Sequence, residues 1–146
     1  VDKITRLVDD AIAKGARVLQ GDKPTGKTRL IAPLVLGDIT ADMQLWREEI
    51  FGPVVAIRVA QNEDDAIALA NDTEFGLVAY AFTRDGARQA RVAEALEAGM
   101  VGMNEGLVST AQAPFGGIKH SGMGREGSRH GLDDYTNLKY IATRVG

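Results

Sequence analysis

The chain has 146 residues, of which 45% are hydrophobic and 25% charged, and these proportions are ordinary for a globular protein with its own core. The net charge of −3, from 17 basic and 20 acidic residues, argues against a nucleic-acid partner, and no apolar run reaches the length of a membrane span. The absence of cysteine excludes disulfides, thiolate metal sites and a thiol nucleophile within these residues, and it favours a reducing, cytoplasmic setting.

The first third of the chain predicts a helix, two short strands and a loop. Apolar residues recur at helical spacing from Ile4 to Ile12, and Gly15 is a typical helix stop. Pro33 keeps the second strand from being a regular central one, because proline cannot donate to a ladder. After the helix we expect strands over residues 17 to 20 and 28 to 36, and a loop with a short helical piece over residues 38 to 47.

The middle of the chain alternates apolar runs with helical patterns. Residues 54 to 59, 77 to 82 and 100 to 103 are apolar runs typical of buried strands. Between them the sequence predicts a helix capped by Asn62 and a second helix over residues 85 to 98. Strand, helix, strand, helix, strand with short links predicts an α/β fold: βαβ units in a parallel sheet with helices on both faces.

Residues 21 to 28, Gly-Asp-Lys-Pro-Thr-Gly-Lys-Thr, satisfy the phosphate-loop pattern G-x-x-x-x-G-K-[ST]. That loop works because a helix begins directly after its lysine, here Lys27, and presents free N–H groups to the phosphate. The residues that follow favour a strand, and Pro33 would break a helix in its second turn. We therefore interpret the match as a surface turn. A phosphate-loop nucleotide-binding protein and a non-catalytic assembly module are the alternatives of another class, and titration with ATP and magnesium would test the first.

Residues 104 to 126, the glycine-rich segment, contain five of the seventeen glycines, and a sixth, Gly127, follows directly. A long irregular segment is uncommon in a compact domain unless it lines a site, and this one follows a strand end, where α/β sheets bind ligands. Residues 122 to 127 also spell the dinucleotide pattern G-x-G-x-x-G. That pattern must follow a strand directly, and no strand is expected over residues 116 to 121. We interpret it as tight turns before a helix over about residues 125 to 135.

Three motifs resemble those of the aldehyde dehydrogenase superfamily. Residues 114 to 126, Pro-Phe-Gly-Gly-Ile-Lys-His-Ser-Gly-Met-Gly-Arg-Glu, resemble its C-terminal motif, and residues 48 to 53, Glu-Glu-Ile-Phe-Gly-Pro, its coenzyme-contacting motif. Residues 71 to 77, Asn-Asp-Thr-Glu-Phe-Gly-Leu, lie between them in the family's order. The resemblance covers essentially the whole chain. It implies the last third of such an enzyme, with residues 1 to 134 belonging to the catalytic domain and residues 135 to 146 forming an oligomerisation strand.

The resemblance implies roles for four residues. Glu49 is expected to hydrogen-bond the nicotinamide ribose of NAD or NADP, and Phe51 to lie beside the nicotinamide. Phe115 is expected in the wall of the aldehyde pocket. The sequence around Ser109, Gly-Leu-Val-Ser before Ala-Pro-Phe-Gly-Gly, most resembles that of succinate-semialdehyde dehydrogenases. In those enzymes the serine helps hold the distal carboxylate of the substrate, so the same role is expected for Ser109. The alternatives by residue type alone are a surface carboxylate for Glu49, core aromatics for Phe51 and Phe115, and a loop-capping serine for Ser109.

The family's covalent mechanism needs a cysteine thiolate to attack the aldehyde and a glutamate to activate water. This chain has no cysteine and lacks the part of the family pattern that carries the base, so we expect no catalytic residue and no metal ligand in it, and no activity from it alone. The parent is expected to be an NAD(P)-dependent oxidoreductase that converts succinate semialdehyde to succinate. A glutarate-semialdehyde or other ω-oxo-acid dehydrogenase is the alternative, and the choice between NAD and NADP stays open.

The C-terminal tail alternates in a way that predicts a strand. Leu138, Tyr140 and Ala142 share one face, while Ile141 lies on the other among polar residues, so neither face is cleanly polar. An unpaired strand of this kind is a template for another chain's sheet edge. The family resemblance likewise implies a subunit contact here, in a homodimer or homotetramer.

Overall fold

A computed structural model of the protein describes residues 1 to 26 and 28 to 146. The chain divides into two compact units, Val1–Ala66 and Ile67–Gly146, so the tail that the sequence sets apart belongs to the second unit. Helix α3 (Glu63–Asn71) runs through the division. Among the described residues, no helix combines the length and the apolar character needed to cross a lipid bilayer.

The first unit consists of a helix, a three-stranded sheet and a short second helix. Strand β2 (Leu34–Gly37) pairs antiparallel with β1 (Arg17–Gln20) and parallel with β3 (Val54–Ala56), so it is the central strand. The second predicted strand begins only after Pro33, since a proline N–H is missing from any ladder. The expectation that Pro33 keeps this strand from a central position is wrong, because the proline lies just outside the strand. The elements in chain order are α1 (Asp2–Ala13), β1 (Arg17–Gln20), β2 (Leu34–Gly37), α2 (Gln44–Arg47) and β3 (Val54–Ala56).

The core of the first unit lies between α1 and the sheet. The apolar stripe of α1 is buried along Leu7, Val8 and Ala11, as the helical spacing predicts. Leu36 of β2 is fully buried, and Met43, just before α2, is 1% exposed. Burial of this kind is the main favourable term in folding, so the unit carries its own hydrophobic core.

The phosphate-loop match falls partly outside the described residues, because Lys27 is not among them. Residues 28 to 33, which are described, form neither a helix nor a strand. The helix N-terminus that a phosphate loop requires is therefore absent at that position.

The second unit contains short strands, one helix and a 3₁₀ helix. Strands β5 (Val78–Ala81) and β6 (Met100–Met103) pair in parallel, and α4 (Gly86–Ala95) connects them. Strand β4 (Phe75–Gly76) pairs antiparallel with β7 (Ile118–Lys119). Its elements after α3 are β4 (Phe75–Gly76), β5 (Val78–Ala81), α4 (Gly86–Ala95), β6 (Met100–Met103), β7 (Ile118–Lys119) and the 3₁₀ helix (His130–Tyr135).

The α/β class is confirmed, but the single parallel sheet is not observed. The strands of the described residues form three separate sheets, and β3 pairs with β2 instead of extending the β5–β6 pair. An apolar run indicates a strand without specifying which strand lies beside it. The expectation of a buried strand over residues 54 to 59 is also wrong in part, because β3 covers only Val54–Ala56 and Val55, Ile57 and Val59 are exposed. Strand β7 is also a correction, because no strand was expected over residues 116 to 121.

Side-chain caps fix the starts of α3 and α4. The Asn62 side-chain oxygen accepts the Asp65 N–H at 2.9 Å, which confirms the predicted cap of α3. Asp85 caps α4 by accepting the N–H groups of Ala87 at 2.9 Å and Arg88 at 3.1 Å. Helix α4 ends at Ala95, three residues earlier than expected.

The predicted helix over residues 125 to 135 is mostly wrong, since only the 3₁₀ helix at its end forms. Glu126 pairs instead with Phe115, and the Ser128 N–H donates to the Ala111 carbonyl at 2.9 Å. Residues 136 to 146 are all described and all exposed, and they contain neither helix nor strand. A strand needs a partner for its ladder, so the expected tail strand is not observed in the single chain.

Candidate functional site

The turn between α2 and β3 is anchored to α1 by charged side chains. The Arg6 guanidinium donates to both carboxylate oxygens of Glu48, at 2.8 and 3.0 Å. These hydrogen bonds, together with the positive charges of Arg6 and Lys3, hold the pKa of Glu48 below its ordinary value. Asp10 accepts the Gln44 N–H at 2.7 Å, which fixes the start of α2 in the same way.

Glu49, the predicted ribose contact, differs from its neighbour Glu48. The Lys3 ammonium donates to the main-chain oxygen of Glu49, whereas no described residue pairs with the Glu49 carboxylate. Glu49 is exposed, so both carboxylate oxygens can accept hydrogen bonds from a ligand. Of these two adjacent glutamates, Glu48 thus anchors the turn, and the carboxylate of Glu49 is available to a ligand.

Phe51, the predicted nicotinamide contact, has a left-handed backbone with φ of 51°. This conformation is uncommon for a bulky residue and is found where the surrounding structure imposes it, often near ligands. The side chain is 85% exposed, which is unusual for phenylalanine in a packed unit. The alternative of a core aromatic is therefore wrong for Phe51 in this structure, and the expected coenzyme role stays a prediction.

In the second unit, Asn104 fixes the beginning of the glycine-rich segment. Its side chain accepts the Thr83 N–H and donates to the Thr83 carbonyl, both at 2.8 Å. The Ser109 side chain lies further along, is exposed and takes no hydrogen bond from the described residues. The loop-capping alternative for Ser109 therefore has no support in this structure, and its hydroxyl is available to a ligand.

Phe115 is held by its backbone. Its N–H donates to the Glu126 carbonyl at 2.8 Å, and the Glu126 N–H donates back at 2.7 Å. This pair closes a loop of residues 116 to 125, which we call the closed loop. Gly116 and Gly99 meet so closely that a Cβ on Gly99 would lie 2.1 Å from the Gly116 carbonyl oxygen. Glycine at position 99 is therefore needed where the closed loop passes β6.

The closed loop and the 3₁₀ helix line an open pocket of about 580 Å³ in the second unit. Phe115 contributes to its lining, whereas Ser109 does not. The roles expected for both residues in the aldehyde site stay predictions. Glu49 and Phe51 belong to the first unit. The other lining residues are Leu77, Gly116, Gly117, Ser121, Met123, Gly124, Arg125, Glu126, Gly127, Gly131, Asp134 and Tyr135.

Arg125 and Asp134 line this pocket but were not singled out from the sequence. The Asp134 carboxylate accepts the Arg125 N–H at 3.0 Å, and the Arg125 guanidinium donates to loop carbonyls. The signal in the sequence was an arginine within a glycine-rich segment, because its five donors can bind the main-chain carbonyls around it. His120 and His130 are exposed, and the described residues contain no group of three metal-binding side chains.

Comparison with known proteins identifies the family. The model described as the aldehyde dehydrogenase family matches residues 1 to 141. The chain belongs to the aldehyde dehydrogenase family. Among its relatives is the mitochondrial succinate-semialdehyde dehydrogenase of Oryza sativa, 50% identical over 142 residues, which cover 97% of this chain and 27% of the relative. The glutarate-semialdehyde dehydrogenase of Pseudomonas putida is 47% identical over 99% of this chain and 30% of its own length.

Solved aldehyde dehydrogenase structures have the same fold in this region. The succinate-semialdehyde dehydrogenase from Burkholderia pseudomallei superposes with a TM-score of 0.87 at 49% identity, over 96% of this chain and 29% of that one. An NADP-dependent enzyme of E. coli superposes with a TM-score of 0.89 at 48% identity, over 97% of this chain and 30% of that one. The chain therefore spans less than a third of the aldehyde dehydrogenases that it matches.

Proposed function

We propose that this chain is part of an NAD(P)-dependent aldehyde dehydrogenase that oxidises succinate semialdehyde to succinate. The observation that carries the substrate class is the exposed hydroxyl of Ser109, which no described residue engages, in the segment that leads to Phe115. Half of the aligned residues are identical to a relative named for succinate semialdehyde, which supports the same assignment. Because the chain covers only part of such enzymes, the activity belongs to the whole protein.

The chain's contribution to coenzyme binding rests on Glu49 and Phe51. The free carboxylate of Glu49 fits two ribose hydroxyls, because each of its oxygens can accept one hydrogen bond. The exposed ring of Phe51 offers an apolar face to a flat aromatic group. A bound nicotinamide would supply the hydride acceptor of the oxidation, and the proposed task of Glu49 and Phe51 is to orient it.

The chain's contribution to the aldehyde site rests on Ser109 and Phe115. A serine hydroxyl can donate to the distal carboxylate of the substrate, and a hydrogen bond to a charged group is among the stronger ones in proteins. The half-buried ring of Phe115 supplies an apolar wall for the methylene chain. The nucleophile and the general base are proposed to come from the rest of the protein, because this sequence contains no cysteine.

Glutarate semialdehyde is the second candidate substrate, since the Pseudomonas putida relative is named for it. The two substrates differ by one methylene, which an apolar pocket discriminates by only about 1–3 kcal/mol. Comparing kcat/KM for the four-carbon and five-carbon semialdehydes separates the two proposals. A cytoplasmic location, proposed from the absence of cysteine, competes with the mitochondrial location named for the rice relative.

Ser109→Ala in the full-length protein tests the substrate assignment. The substitution should lower kcat/KM for succinate semialdehyde by about tenfold to a hundredfold, the loss expected from roughly 1.5–3 kcal/mol for one hydrogen bond to a charged group. Butanal, which has the same length without the carboxylate, should be oxidised almost as well as before. Thr110→Val is the matched control, because it removes a neighbouring exposed hydroxyl. An equal loss on both aldehydes would contradict the proposed role.

The tail is proposed to contact another subunit. Leu138 and Tyr140 are almost completely exposed in the single chain, with Ile141 70% exposed, so an apolar surface is available for association. Deleting residues 136 to 146 from the full-length protein should reduce the number of subunits in the oligomer, as measured by its mass in solution. An unchanged oligomer would show that the tail does not hold the subunits together.

A further inference from the structure

The closed loop of residues 116 to 125 is anchored at its base and near its tip. At the base, the backbone pair between Phe115 and Glu126 joins the two ends of the loop. Near the tip, β7 pairs with β4 through Phe75 and Lys119, and the Lys119 ammonium forms an ion pair with Glu97 at 2.6 Å. The stretch between these anchors is rich in glycine, so it has few side chains of its own to maintain its shape.

Arg125 fills this gap from inside the loop. One nitrogen of its guanidinium, Nη1, donates to the Gly117 carbonyl at 2.8 Å and to the Gly124 carbonyl at 2.6 Å. These two carbonyls lie on opposite arms of the closed loop, so a single cation ties the arms together. Gly116 packs on the stem of the arginine, because a Cβ there would lie 2.8 Å from Arg125 Cδ.

Asp134 fixes the backbone of the arginine. Its carboxylate accepts the Arg125 N–H at 3.0 Å, which connects the second arm of the loop to the 3₁₀ helix. Gly124 makes this approach possible, since a Cβ there would lie 2.6 Å from the Asp134 Oδ2 atom, and its φ is +87°. Both the main chain and the side chain of Arg125 are therefore held in place.

We propose that Arg125 is a positioning residue that holds Phe115 in the wall of the pocket, an inference that rests on the proposed function for its catalytic consequence. Glu126, the backbone partner of Phe115, directly follows Arg125 in the chain. Release of the two carbonyls loosens the arm that carries Glu126, and with it the hydrogen bonds that fix Phe115. Arg125 thus acts on substrates through the shape of the wall and without contacting their carboxylate.

For a positioning role, the loss on substitution should be the same for both aldehydes, whereas the loss predicted for Ser109→Ala is confined to the carboxylated one. Arg125→Met in the full-length protein keeps the apolar stem and removes the donors, so it should raise the KM for succinate semialdehyde and for butanal by a similar factor, about tenfold or more. Arg125→Lys should restore part of the loss, because an ammonium group can still donate to a carbonyl. Arg129→Met is the matched control, since Arg129 is exposed and its side chain pairs with no described residue.

Amide hydrogen exchange supplies a second measurement that does not depend on turnover. The Phe115 and Glu126 amides, which form the base of the loop, should exchange faster in Arg125→Met than in the wild type, with Arg125→Lys between them. The Asn62-capped start of α3 should exchange as in the wild type, which distinguishes a local effect from general unfolding.

Two outcomes overturn the proposal. A loss confined to the carboxylated aldehyde would make Arg125 a direct anion ligand, and unchanged exchange at Phe115 and Glu126 would show that it does not hold the loop. If the wild-type protein oxidises no aldehyde, the proposed function fails. The exchange measurement then still decides whether Arg125 positions Phe115.

Discussion

The two units of this chain are stabilised in different ways. Apart from Met100, every buried hydrophobic residue described belongs to Val1–Ala66, where α1 packs on a sheet. In Ile67–Gly146 the other buried positions are the glycines Gly76, Gly102 and Gly117. The first unit thus depends on apolar burial, whereas the second depends on backbone hydrogen bonds and on close contacts between main-chain segments.

This difference is reflected in the lining of the pocket in the second unit, which is rich in glycine. Main-chain carbonyls and N–H groups that are held by glycine contacts form a wall whose polar groups have defined positions, which a purely hydrophobic core does not offer. Large side chains of this unit, such as Phe82 at 71% exposure, contribute little to its packing in the single chain. We therefore expect the first unit to be sensitive to side-chain truncation and the second to an added Cβ.

Leu36→Ala should have the largest effect on stability. The side chain is fully buried at the centre of β2, so its truncation should lower the free energy of unfolding by about 2–5 kcal/mol through lost burial and a cavity. Phe82→Ala is the comparison in the second unit, and it should change the free energy of unfolding by no more than about 0.5 kcal/mol. Urea unfolding of the 146-residue chain measures both. Equal losses would show that the two units do not differ in this way.

Gly99→Ala should have the next largest effect. The added Cβ would lie 2.1 Å from the Gly116 carbonyl oxygen, so the closed loop must shift, at a cost of about 1–3 kcal/mol in unfolding free energy. Gly86→Ala is the matched control, because no atom lies within 4 Å of a Cβ there. It should stabilise α4 slightly, since alanine has the higher helix propensity. If both variants were equally stable, close backbone contact would not be what holds the second unit.

Asp85→Asn should have the smallest effect, visible as a change in pH dependence. The hydrogen bonds from the Arg88 and Ala87 N–H groups hold the pKa of Asp85 below its ordinary value of 3.8. A lowered pKa adds stability that is fully present above pH 3.8 and is lost as the pH falls through the folded-state value. Asparagine keeps the cap without titrating.

The advantage of the wild type over Asp85→Asn should therefore shrink as the pH is lowered from about 6 to about 2, in thermal melts of the two proteins. Asp85→Ala removes the acceptor as well as the charge and should be less stable than Asp85→Asn throughout this range. An advantage that stays constant with pH would mean that the carboxylate charge does not contribute to the cap.

Local features of the fold followed from the sequence alone. The apolar spacing of α1, the cap at Asn62 and the interruption at Pro33 depend on neighbouring residues, so the sequence predicts them without knowledge of the fold. The family also followed from the sequence, because the motifs around Glu49 and Phe115 are contiguous stretches. Those motifs named candidate residues without showing which side chains are free.

Contacts between distant residues were decided only by the tertiary structure. The pairing of β3 with β2 and the closure of the loop by Phe115 and Glu126 join segments whose proximity no local pattern encodes. For the same reason, Glu48 and Glu49 are alike in the sequence, and only the approach of Arg6, 42 residues away, makes one an anchor and leaves the other available. Backbone pairing likewise overrode the helical pattern over residues 125 to 129, because Glu126 and Ser128 bond to distant main-chain groups.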